Sequence, residues 1–222
     1  MIGNRDRIVV MQPYFFPYAG YYRLFHGSDL FVIYDCVQFP RRGWVHRNKL
    51  KNTLGTDEWL TLPLMKAPQS VLIKDLRFPP DASVEMIRRL APFLLTSTDP
   101  HWRAEVLRVV LDMKEDVTDY IVTTLEFAAR YLGLPWSVVR SSSLNVPDSF
   151  RGQDRIIEIV RRVGGRSYLN SPGGTELYDA RSFSEAGLEL DFLPPHAGPY
   201  TSMLSRILAE DRDALVREIV SP

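Results

Sequence analysis

Cysteine is almost missing from this sequence. Cys36 is the only one in 222 residues, which excludes an intrachain disulfide and points to a reducing compartment. Net charge is missing too. The 27 Lys and Arg balance 27 Asp and Glu, so no basic field draws the chain to nucleic acid. No apolar run reaches the roughly 18 residues that a membrane-spanning helix needs, and the opening residues carry no signal-peptide apolar core. The expectation is a cytoplasmic protein with neither membrane nor nucleic-acid partners. Its four histidines, His26, His46, His101 and His196, are scattered. None stands at a ligand spacing with cysteine or a carboxylate, so no metal site is expected. There is no internal repeat, no P-loop and no dinucleotide fingerprint.

Aromatic residues, by contrast, are plentiful: 10 Tyr, 11 Phe and 4 Trp, many of them before residue 60. The length fits one domain over residues 1–222, and such a chain buries roughly 70% of its unfolded surface. A division into a βαβ core over 1–80 and a helical, sheet-completing part over 81–222 is the alternative. Arg7 to Met11 reads as a strand and Tyr21 to Gly27 as a short helix. Leu30 to Tyr34 is an almost unbroken apolar run, the mark of a buried parallel strand. Together they predict a right-handed βαβ unit. Gln12 and the Asp35–Gln38 segment then fall at the carboxyl ends of neighbouring strands, where open α/β sheets bind ligands.

Further strands are expected at Glu58–Leu62, before Pro63, at Pro135–Arg140 and at Ser167–Leu169, with an alternating one near Leu188–Phe192. Helical spacing predicts a helix over 83–95, stopped or kinked by Pro92. It also predicts one long or kinked helix from the Thr98-Asp99-Pro100 start to Gly133, a helix capped by Asp154, and a single last helix over 202–220. The order of elements indicates an α/β protein with a mostly parallel, twisted, Rossmann-like sheet.

Three stretches carry candidate chemistry. The first is the loop from Gln12 to Gly20, whose only polar side chains are Gln12 and tyrosine hydroxyls. The second runs from Asp35 to Lys49, where Arg41, Arg42, Arg47 and Lys49 surround Trp44. It is either a solvated loop or an anion clamp for phosphate or carboxylate. Within it Asp35 and His46 are candidate general bases, and Cys36 is a candidate nucleophile against the commoner reading of an inert core thiol. The third is the loop after the Ser167–Leu169 strand, where Gly173 and Gly174 permit close approach of backbone to ligand and a plain turn is the alternative. A Ser141–Ser143 run reads as a turn.

These residues resemble the WbqC-like proteins. The resemblance is carried by Gln12-Pro13-Tyr14, Pro17, Gly20-Tyr21-Tyr22, Asp35 to Phe39, Arg41 to Asn48 and Trp59 to Pro63. It continues through Arg140-Ser141-Ser142, Gly164, Tyr168-Leu169, Ser171 to Gly174 and Tyr178, in order along nearly the whole chain. The family occurs in O-antigen, capsule and some natural-product gene clusters. The resemblance implies transfer of an acyl or aminoacyl group, glycyl in the family's proposed reaction, to an amino sugar. This chain departs from the family at Cys36, where an acidic residue is usual, at His46, where Asn is common, and at Ser205, where Asp is frequent. The layout is also similar to pantothenate-synthetase-like adenylate-forming enzymes, although their histidine pair is missing and Gln12 and Gly20 stand nearest to it.

Three functions compete: an amide-forming acyl or aminoacyl transferase, an ATP-dependent adenylating or nucleotidyl-transfer enzyme, and a non-catalytic binding protein of a biosynthetic cluster. In the first, His46, Asp35 and Cys36 are the catalytic candidates. Gln12, Gly20, Gln38, Arg41, Arg47, Asn48, Ser171, Gly173, Gly174 and Tyr178 are the substrate-binding ones. The donor is ATP-activated or held on an acyl carrier, so a carrier protein joins the small-molecule substrate as an expected partner.

Overall fold

A computed structural model describes residues 6–93, 100–113 and 116–220. Strand β1 (Arg7–Met11) lies at the centre of a five-stranded sheet. β2 (Leu30–Ile33) pairs with it on one side in parallel, Ile8 opposite Leu30 and Met11 opposite Ile33. β6 (Ser167–Asn170) pairs with it on the other side, also in parallel. β5 (Val138–Arg140) lies beyond β2 and β7 (Glu189–Phe192) beyond β6, giving the order β5-β2-β1-β6-β7. This is an α/β fold in which all five strands are parallel. Counted in order of entry into the sheet, they run 3-2-1-4-5, as in doubly wound nucleotide-binding folds. The strands come from both sides of residue 80, so residues 81–222 contribute three of the five. A separate antiparallel hairpin, β3 (Arg47–Lys51) and β4 (Asp57–Thr61), stands off this sheet.

The unbroken apolar strands follow from burial on both faces. Val9, Phe31 and Ile33 point to one side, into a core shared with helices α1 (Ala19–His26), α4 (Val117–Leu132), α7 (Met203–Ala209) and α8 (Arg212–Val220). Phe25 of α1 stacks on Phe31 at 4.1 Å between ring centroids. Ile8, Val10, Leu30 and Val32 point to the other side and pack on α5 (Gly152–Arg162) and on Phe183 of α6 (Ala180–Glu185). Helix α2 (Ala82–Leu90) ends two residues before Pro92, and α3 (Pro100–Leu111) packs against α4. No helix of the described residues is long and apolar enough to cross a membrane.

Three sequence expectations need correcting. The long helix to Gly133 is two helices, α3 and α4, because Asp116 caps a new start by accepting from the Asp119 amide. The last helix is likewise two, with the Asp211 carboxylate accepting from the Ala214 amide at the start of α8. Asp154 does not cap α5; Arg151 occupies that position and Asp154 lies in the first turn, where its charge complements the helix dipole. The Thr98-Asp99 helix start lies outside the described residues. Gly133 closes α4 in the left-handed region, at φ 69°.

Candidate active site

The chain winds from β1 to β2 to β5 in one direction, then crosses over α5 to β6 and continues to β7 in the other. The reversal falls between β1 and β6, and a crevice opens there at the carboxyl ends of the strands, the usual ligand position in such sheets. It has a volume of about 350 Å³ and is walled by Gln12, Tyr14, Tyr34, Asn170, Ser171, Gly173, Gly174 and Tyr178. Gly174 belongs there for a steric reason: a Cβ would come 2.2 Å from Asn170 Nδ2. Asn170 is buried, and its Oδ1 accepts from the Ser171 amide, fixing the start of the loop. Tyr168 and Tyr178 share a hydrogen bond between hydroxyls at 3.2 Å.

Among the described residues, no charged side chain lines this crevice. Burial, with Cys36 and Tyr178 adding to it against the pull of Arg155, pushes the Tyr34 phenol up to about 12. Burial and the neighbouring Tyr18 raise Tyr14 as well. Both phenols are therefore neutral hydrogen-bonding groups at neutral pH.

Tyr14 is also a wall of a second, apolar pocket of about 340 Å³, completed by Pro17, Tyr18, Trp44, Asn48 and Tyr200. The loop between the two is held tightly. Asn48 Nδ2 donates to the carbonyls of Phe15 and Phe16 at 3.0 and 2.6 Å, and Ser202 Oγ donates to the Phe16 carbonyl. These contacts hold Phe16 at φ 42°, a left-handed conformation that a bulky residue rarely adopts. Gly20 packs behind this pocket. A Cβ there would meet Tyr18 at 2.3 Å and His196 at 3.0 Å.

The other expected site residues are distributed rather than gathered. Asp35 is fully buried, and its carboxylate accepts from Arg140 Nε at 2.7 Å, Ser141 Oγ at 2.9 Å, and Ser142 N and Oγ at 2.9 and 2.7 Å. It ties the end of β2 to the end of β5 through Arg140, Ser141 and Ser142, while Ser143 Oγ turns back to the Arg140 carbonyl. Cys36 Sγ lies 3.3 Å from Arg155 NH2 and 3.0 Å from Ser141 Oγ. It lines a third depression with Gln38, reached from the crevice across Tyr34, a wall of both. Arg47 donates to the carbonyls of Arg42 and Gly43 and lies 4.1 Å over the Trp59 ring, so it braces its own turn. Arg41 and His46 line a fourth cleft beside the hairpin.

Gln12, Ser171, Gly173, Gly174 and Tyr178 thus share the crevice, and Asn48 and Gly20 shape the neighbouring pocket. Tyr14 is a wall of the crevice as well. Tyr34 and Asn170 were not singled out, although each stands where a strand ends and its polar group reaches the sheet edge.

The family model of the WbqC-like protein family matches residues 12–206. The chain belongs to this family. The matched span includes every residue of the crevice except Val10 and Met11 on its floor. A relative in Mycobacterium tuberculosis (strain ATCC 25618 / H37Rv), described as uncharacterized protein Rv1507c, is 24% identical over 204 residues, covering 83% of this chain and 80% of its own. No solved structure matches the chain.

Proposed function

We propose that this protein is a cytoplasmic transferase that joins an acyl or aminoacyl group to the amine of an amino sugar or a related amine, in polysaccharide or natural-product biosynthesis. The two substrates meet at Tyr14. The observation that carries this reading is the shared wall: a polar crevice and an aromatic pocket are both lined by one tyrosine, Tyr14. Neutral donors and acceptors such as Gln12, Tyr34 and Asn170 suit an acyl carbonyl or sugar hydroxyls, and aromatic faces suit an apolar ring face. In the reaction the amine nitrogen forms a bond to the acyl carbon, the bond to the leaving group breaks with its electron pair, and the amine proton departs with the leaving group. The protein's contribution is orientation of the two partners and hydrogen bonding to the carbonyl oxygen.

Adenylation ranks second. The sheet order favours a nucleotide, but a triphosphate would enter a crevice to whose walls the described residues contribute no Lys or Arg. Thermal shift separates the two. An activated acyl donor that raises Tm, with ATP-Mg inert, supports the transferase. A rise with ATP-Mg and none with any acyl donor overturns it.

A further inference from the structure

A fourth cleft, of about 310 Å³, lies between the hairpin and α2, away from the crevice. Its floor is apolar, formed by Phe39, Leu62 and Leu76, with the exposed Met65 at the rim. Three cationic residues, Arg41, Lys66 and Arg89, also line it, and among the described residues no carboxylate does. Arg89 is engaged by Glu85 at 2.9 Å and by the Thr61 carbonyl. Arg41 spends one NH2 contact on the Ala67 carbonyl, at 2.6 Å, which fixes the rim, and among the described residues neither Arg41 nor Lys66 has an ion-pair partner. His46 lines the cleft as well, edge-on to Phe39 with 4.9 Å between ring centroids. Its Nδ1 is buried and has no hydrogen-bond partner among the described residues. A buried polar atom left without a partner is destabilising, and a ligand that hydrogen-bonds it offsets that loss.

We propose that this cleft binds a phosphate monoester carried on a short apolar stem. The ester's charge lies between the Arg41 guanidinium and the Lys66 ammonium, one of its oxygens reaches His46, and the stem lies on Phe39, Leu62 and Met65. Guanidinium forks favour phosphate oxygens, and an apolar floor discriminates an ester from the free ion. Burial, then Arg47, Arg41 and Arg89, keep the imidazole neutral, so it presents one nitrogen that donates and one that accepts.

Titration calorimetry at low salt tests this with n-butyl phosphate, inorganic phosphate and n-butanol. Butyl phosphate is expected to bind at least tenfold more tightly than either fragment. The Arg41→Ala/Lys66→Ala double variant, whose side chains lie at the surface, is expected to weaken it tenfold or more with Tm unchanged. The His46 ring nitrogens should shift in NMR spectra on binding. The proposal is overturned by equal affinity for inorganic phosphate (an adventitious ion only), by full affinity in the double variant, or by pentanoate binding as tightly as butyl phosphate.

Discussion

Replacing Asp35 with Ala separates architecture from chemistry at this sheet edge. The carboxylate is fully buried and accepts four hydrogen bonds, one of them from the Arg140 guanidinium. Removing one partner of a buried pair costs roughly 3–5 kcal/mol. Arg140 is 27% exposed and keeps its bond to Asp119, which places the expected loss near the lower limit, about 3 kcal/mol. At about 2–4 °C per kcal/mol for a chain of this size, Tm should fall by about 6–12 °C. Urea unfolding should show the same loss through the midpoint, with the slope unchanged. Asp119→Ala is the control: its carboxylate is 67% exposed, and its removal should cost about 0.5 kcal/mol or less. An Asp35→Ala protein as stable as the parent but inactive would refute the reasoning and make Asp35 a chemical group.

Three more outcomes follow from the geometry. Burial, then Arg47, Arg41 and Arg89, push the His46 imidazole down to about 4. The unfolded chain takes up that proton near the ordinary value of 6.5, so between pH 6.5 and 4 it binds more protons than the folded chain. Stability therefore falls as pH drops through that window, by about 2 kcal/mol after allowance for solvent access, and His46→Gln should flatten the pH profile of urea unfolding there. Asn48→Ala strands the buried Phe15 carbonyl, while the Phe16 carbonyl keeps Ser202 and the Met203 amide, and guanidinium unfolding should record a loss of about 2 kcal/mol. Cys36→Ser keeps a hydrogen-bonding atom beside Arg155 and Ser141, so turnover should remain within about threefold of the parent; a loss beyond about 100-fold (~2.7 kcal/mol) would mark the thiol as the nucleophile.

The sheet was legible in the sequence because its signal is local. Leu30 to Ile33 is apolar throughout since both faces are covered, and the strand, loop, helix, strand spacing fixed the pairing of β1 with β2. The helix breaks at Asp116 and Asp211 were not legible. The apolar period runs on across both, and only the capping aspartates mark the new starts. For the site, glycine and strand ends sufficed to place Gln12 and the Ser171–Gly174 loop together. The basic segment was harder to read, since β3 carries Arg47 and Asn48 into a hairpin off the main sheet, and side-chain composition cannot report where a hairpin points. Asp35 shows the same limit. A carboxylate at a strand end reads as a base until its four donors are counted, and those come from residues more than one hundred positions away.

The most direct measurement is a crystal structure of the protein with an amino sugar and an unreactive acyl-donor analogue. The sugar and donor should be found on the two sides of Tyr14, one against Gln12, Tyr34 and Gly173, the other against Trp44 and Tyr200. Both ligands bound elsewhere, with the crevice between β1 and β6 vacant, would contradict the account.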